Sequence, residues 1–153
     1  MEPQFSVFGH VGRPVAEVYE AIVDPAQLSH YFTTGGARGR LATGATVWWD
    51  FHDFPGEFPV QVIEATPPER IVLEWDSNEP VPEGQPPRRT RVAFAFSATE
   101  DGRTRVEISE HGWADSDAGL RASYGNCMGW SQMLCALKAW LEYGINLREG
   151  MYR

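Results

Sequence analysis

The chain has 153 residues, enough for one domain with a buried core. Its net charge of −8 argues against a nucleic-acid partner, because phosphate contacts need clustered Lys and Arg. No apolar run approaches the ~20 residues of a membrane helix, and the opening MEPQFSVFGHVGRP lacks the basic start and apolar centre of a secretion signal, so a cytoplasmic protein is expected.

Phe5 to Val11 alternates loosely and reads as a first strand. Pro14 suits a helix start, since the first turn leaves its missing N–H without a partner anyway. Val15, Val18, Tyr19 and Ile22 give that short helix one apolar face. Asp24-Pro25 ends it and opens a second, with Asp24 as cap, Leu28, Tyr31 and Phe32 on its buried side, and Gly35-Gly36 as its stop. From there to Trp113 the signals are strands and turns. Arg38 to Leu41, Thr46 to Asp53 and Phe58 to Ala65 read as strands, with Pro55-Gly56 and Thr66-Pro67-Pro68-Glu69 as turns. Ile71, Leu73 and Trp75 alternate with Val72, Glu74 and Asp76 as in a half-buried strand, and Val92, Phe94 and Phe96 alternate cleanly. The proline-rich stretch Ser77 to Pro87 is a long loop. Asp101-Gly102 is a hairpin signal, followed by Val106, Ile108 and Glu110 at strand spacing.

The last third, Asp115 to Arg148, reads as one long helix capped by Asp115 or Ser116. Leu120, Tyr124, Cys127, Trp130, Leu134, Leu137, Leu141 and Ile145 recur at three- and four-residue steps. Its first half is small and polar around Gly125, Asn126 and Gly129, as expected of a cavity roof or of close helix–sheet contact. Its second half, Trp130 to Ile145, reads as the anchor in the core. Cys127 and Cys135 lie ~12 Å apart along that helix, too far for a disulfide, so both are expected as free thiols.

The whole order predicts a single α+β domain over residues 1–153, in which a large antiparallel sheet buries one face under the terminal helix. The order resembles the helix-grip fold of the START/Bet v 1-like (SRPBCC) superfamily, and more closely the family related to the Hsp90 ATPase activator. The resemblance rests on the run Val11 to Ile22, on Asp24-Pro25 with Leu28 and Tyr31, on Pro67 to Trp75, and on Gly129-Trp130 with Leu134, Leu137, Leu141 and Glu142. Tyr31 stands where that family often has Trp, and the Ser77 to Pro87 loop is longer and richer in proline than is typical. The resemblance implies a cavity between sheet and helix that takes hydrophobic or amphipathic small molecules. It also implies two alternatives: a polyketide cyclase-like or hydrolase-like enzyme, and a chaperone-interaction module. The activator itself carries a further chaperone-binding domain, and no such domain is expected in these 153 residues.

Glu110 is the sharpest single candidate. Its parity with Val106 and Ile108 turns it inward, where it would serve as acid, base or ligand anchor; a register shift at the strand end would leave it in solvent. Trp75 and Phe94 share inward parity as core or cavity wall, and Trp113 stands near the mouth as rim or core cap. On the helix, Tyr124, Cys127 and Trp130 complete the expected ligand-binding set, with Tyr124 positioning substrate in the enzyme alternative. Trp48 and Trp49 point to opposite faces, so one of them is surplus to the core, which hints at a homodimer. Four histidines show no metal-ligand helical pair. Asp50 and His52 share a strand face that reads as solvated. No phosphate loop or nucleophile elbow is present, so neither metal nor cofactor is expected.

Overall fold

The computed structural model describes residues 1–152. β1 (Gln4–Val11) is followed by two short helices, α1 (Val15–Val23) and α2 (Pro25–Leu28). Then come β2 (Gly36–Arg38), β3 (Thr46–Phe51), β4 (Phe54–Thr66), β5 (Arg70–Asp76), β6 (Arg89–Ala98), β7 (Thr104–His111) and the long α3 (Asp117–Tyr143). The seven strands form one curved antiparallel sheet in the order β1-β7-β6-β5-β4-β3-β2. The first strand thus pairs with the last, and α3 packs across the sheet against β1.

Strand alternation decides the inner face. On β6 and β7 the buried residues are Thr90, Val92, Phe94 and Phe96, and Thr104, Val106, Ile108 and Glu110. Register sets them side by side: Ile71 opposes Phe94, Leu73 opposes Val92, Trp75 opposes Thr90, and Val92 opposes Glu110. Trp49 is buried while Trp48 turns outward beneath the Arg38 guanidinium, 5.7 Å from its ring centre. Asp24 caps α2 by accepting the Ala26 N–H at 2.9 Å, with Pro25 as first helical residue. Tyr31 is fully buried and donates its hydroxyl to the Ala21 carbonyl at 2.9 Å; burial holds its phenol well above the usual range.

Several boundaries differ from expectation. The β3–β4 turn falls at His52-Asp53 rather than at Pro55-Gly56. Gly56 lies inside β4 at φ +113°, and its N–H donates to Asp50 Oδ1 at 3.0 Å, so that carboxylate shapes the start of the strand. The short strand expected at Arg38 to Leu41 sits earlier, at Gly36–Arg38.

The terminal helix is also shorter than expected. Ser116 caps it by accepting the Gly119 N–H at 3.0 Å. Gly144, left-handed at φ +69°, ends it, because an L side chain resists that conformation. Ile145 therefore leaves the helix and is exposed instead of anchoring the core. The buried face runs through Gly119, Ala122, Ser123, Trp130, Met133, Leu134, Ala136 and Leu137. Leu120 and Tyr124 lie off that face. At ~100° per residue, one step from Ser123 already carries Tyr124 toward solvent. Glu142, near the helix end, accepts the Gly12 N–H at 2.9 Å and the Lys138 ammonium at 2.5 Å, tying α3 to the β1–α1 turn.

Candidate ligand-binding cavity

Glu110 is 1% exposed, and four side chains donate to its carboxylate. Its Oε2 accepts from Thr90 Oγ1 at 2.6 Å and from Trp75 Nε1 at 3.0 Å. Its Oε1 accepts from Trp130 Nε1 at 2.8 Å. Asn126 Nδ2 lies 3.2 and 3.1 Å from the two oxygens. Asn126 and Trp130 are four residues apart and so share one face of α3. Trp75 and Thr90 come from neighbouring strands in direct register. One carboxylate therefore joins β5, β6, β7 and α3, and all four of its partners are neutral donors.

In front of this cluster lies a cavity of about 390 Å³, with Phe51, Phe58, Trp75, Asn126 and Arg148 among its walls. A smaller recess of about 130 Å³ shares Phe51, Trp75, Asn126 and Arg148 and reaches Gly129 and Trp130. The rings are interlocked: Trp130 lies 5.5 Å from Trp75 and 5.5 Å from Phe32, centre to centre, with Phe94 edge-on at 5.4 Å. Gly129 leaves the roof thin, since a Cβ placed there would meet nothing within 4 Å.

Arg148 closes one side. After Gly144 the chain turns back, and Asn146 Oδ1 accepts the N–H groups of Arg148 and Glu149 at 3.1 Å each. The buried guanidinium then reaches Asp53 in the β3–β4 turn at 2.7 Å. It also lies over the rings of Phe51 and Tyr152 at 5.2 and 4.5 Å.

Of the residues expected from sequence, Trp75 and Trp130 stand on the walls, and Glu110 stands directly behind them. Phe94 is fully buried beneath Trp130 and belongs to the core. Trp113 is fully buried too, and is not a rim: its Nε1 donates to Asn78 Oδ1 at 3.0 Å. Asn78 in turn donates to the Ala122 carbonyl at 3.0 Å, so Trp113 fixes the start of the proline-rich loop against the helix. Ser77 and Asn78 from that loop do line the cavity. Tyr124 is 64% exposed, and neither it nor Cys127 reaches either recess, because both lie off the inward face of α3. Sequence reasoning gave no role to Thr90, Asp53 or Arg148. Thr90 shares parity with Val92 and was open to detection. Arg148 had no local signal, because its place depends on how the chain folds back after Gly144.

Two other recesses are larger, about 480 Å³ between β1 and α3 and about 510 Å³ along the proline-rich loop. Neither is walled by a Trp or backed by a buried carboxylate. Both cysteines are free, and among the described residues no helix is long and apolar enough to cross a membrane.

A curved antiparallel sheet holding a long terminal helix, with an aromatic cavity under that helix's first half, defines a helix-grip protein. The family described as Activator of Hsp90 ATPase homolog 1-like protein matches residues 13–142, and the chain belongs to it. Among solved structures it is similar to protein SSP2350 from Staphylococcus saprophyticus (TM-score 0.76, 21% identity, 95% of this chain and 96% of that one). It is also similar to DynU16, from the dynemicin biosynthetic locus (TM-score 0.79, 21% identity, 97% of this chain), of which it spans 50%. A third is Aha1 from Colwellia psychrerythraea, solved as a dimer (TM-score 0.71, 19% identity, 93% of this chain and 98% of that one). At such identities the likeness is one of fold. No curated protein sequence matches the chain.

Proposed function

We propose that this protein binds a small hydrophobic or amphipathic molecule in the cavity under α3. The observation that carries this reading is the cavity of about 390 Å³, walled by Phe51, Phe58 and Trp75 with Asn126 and Arg148 as polar points. That size and mixture are typical of small-molecule sites. Trp75, Asn126 and Trp130 are held in place from behind by Glu110, so the wall is preorganised. A structural neighbour from a biosynthetic locus is in keeping with the reading. Native mass spectrometry of gently purified protein should reveal a co-purifying small molecule. Amide and indole shifts of Trp75, Asn126 and Trp130 should move with an aromatic fragment panel. An apo mass together with shifts indifferent to every fragment would sink the reading.

The enzyme alternative with Glu110 as acid or base has less support. Both carboxylate oxygens already accept from protein donors, and Tyr124 stands too far outside to position a substrate. The chaperone alternative rests on family membership alone.

A homodimer is favoured by a different observation. Leu120, Tyr124 and Met128 recur every four residues on the outer side of α3 and are 41%, 64% and 53% exposed. One structural neighbour is a dimer. Sedimentation across a hundredfold concentration range should give a dimer that Tyr124→Lys with Met128→Glu dissociates; a monomer throughout would reject it.

A further inference from the structure

The charges around the cavity constrain what it takes. Resting on the reading that the cavity is a ligand site, we propose that its ligand is an organic cation, a protonated amine on an apolar aromatic body. Among the described residues the cavity's one lining cation, Arg148, is already matched by Asp53 at 2.7 Å. Asp76 lines the cavity too, and Arg89 approaches it only to 3.8 Å. Behind the wall stands Glu110, buried and with no Lys, Arg or His within ion-pair distance among the described residues. Its charge is met by neutral donors alone, so it remains as a negative potential at the inner end of the cavity, where low polarisability of the surroundings lengthens its reach.

The groups between Glu110 and the cavity pass that sign on. Asn126 commits its Nδ2 to both carboxylate oxygens, which leaves Oδ1, an acceptor, on the side away from Glu110. Asn126 is part of the cavity wall, so a ligand there meets an acceptor. Trp75 donates its indole N–H to the carboxylate, and a donor so engaged has a more electron-rich ring. Phe51, Phe58 and Trp75 together offer ring faces that attract cations and repel anions. The Arg148 guanidinium 5.2 Å from the Phe51 ring already uses this property. A carboxylate of the same shape would face Asp76, the Asn126 oxygen and the field of Glu110, with no uncommitted cation among the described lining residues to receive it.

Three probes of one shape separate the possibilities: 1-naphthylmethylammonium, 1-naphthylmethanol and 1-naphthoate. Isothermal titration and the 15N–1H signals of Trp75 and Asn126 would be followed at low salt in the full chain. The cation should bind at least tenfold tighter than the carboxylate, with the alcohol between. Raising salt to about 0.5 M should weaken the cation several-fold and leave the alcohol unchanged. Asp76→Asn, at an exposed position that leaves the core untouched, should lower cation affinity about threefold without moving the alcohol. A carboxylate that binds as tightly as the cation overturns the charge inference while the cavity stands as a site. Indifference to all three probes overturns both.

Discussion

Glu110→Gln is the most searching single change, because it keeps the shape and removes the charge and one acceptor. Glutamine presents one oxygen and two N–H donors to a cluster of Thr90, Trp75, Trp130 and Asn126, all of which donate to the carboxylate. If the amide nitrogen takes the Oε1 place it faces the Trp130 indole N–H, which is buried; in the Oε2 place it faces that of Trp75. Either way an indole donor loses its acceptor, at about 1–3 kcal/mol. The remaining hydrogen bonds become neutral, which costs about 1 kcal/mol more. The added amide hydrogens find at best the Thr90 hydroxyl. These losses sum to about 2–4 kcal/mol, and relief from burying a charge offsets about 1–2 kcal/mol of them, so we expect a net loss of roughly 1–2 kcal/mol, or about 2–8 °C in Tm for a chain of this size. Urea unfolding followed by near-UV circular dichroism would measure it, with the slope m checked for constancy. An unchanged or raised midpoint at constant m would refute the reasoning and show that burying the charge outweighs the hydrogen bonds it receives.

Four further outcomes are expected. Gly129→Ala should raise stability by about 0.5–1 kcal/mol, since the site is helical and open, while Gly129→Leu should block uptake of any cavity ligand in titration calorimetry. Gly119→Ala, on the same helix, should do the reverse and cost more than about 2 kcal/mol, because its Cβ would lie 2.0 Å from the Ala114 carbonyl oxygen; a melting curve like wild type would refute the close approach. Asp53→Ala should cost about 2 kcal/mol by stranding the buried Arg148 charge, and a double-mutant cycle with Arg148→Met should show coupling above about 0.5 kcal/mol. The hydrogen bond from Lys138, and next that from Gly12 N–H, hold the Glu142 carboxyl below its usual range. Its folded value is thus depressed, so its contribution is complete above an unfolded value of about 4 and fades as pH falls through the folded one. Glu142→Gln should therefore be less stable by about 1 kcal/mol at pH 7, with the gap closing in denaturation series taken below pH 4.

Much of the fold was legible because it follows period. Two-residue alternation placed Val92, Phe94, Val106, Ile108 and Glu110 on one face, and the caps at Asp24 and Ser116 follow from local chemistry. The site was legible where it lies on strands and less so on the helix. Leu120 and Tyr124 fit an apolar stripe as well as Ala122 and Ser123 do not, yet the sheet chose the smaller pair, since close packing rewards small residues that hydrophobicity does not flag. Asn126 looked like an interruption because its partner is sixteen residues back on another element. The Pro55-Gly56 turn was displaced by a two-residue turn whose neighbour Asp50 satisfies the Gly56 N–H, a match only the folded hairpin reveals.

The carboxylate of Glu110 also acts as an index pin. Asn126 reaches both of its oxygens and Trp130 reaches Oε1, so α3 delivers its full set of donors only when the two residues face the carboxylate together. Turning the helix by one residue swings them away by ~100° and leaves the buried carboxylate only its two donors from the sheet, Thr90 and Trp75. A purely greasy helix could roll or sink until the space beneath it closed, as packing forces favour. Here directional bonds forbid that relaxation, so the helix is held at a fixed standoff from the sheet. The empty volume is then not a flaw in packing but a dimension set by a polar spacer, and shortening Glu110 to Asp is the change that should let the roof settle.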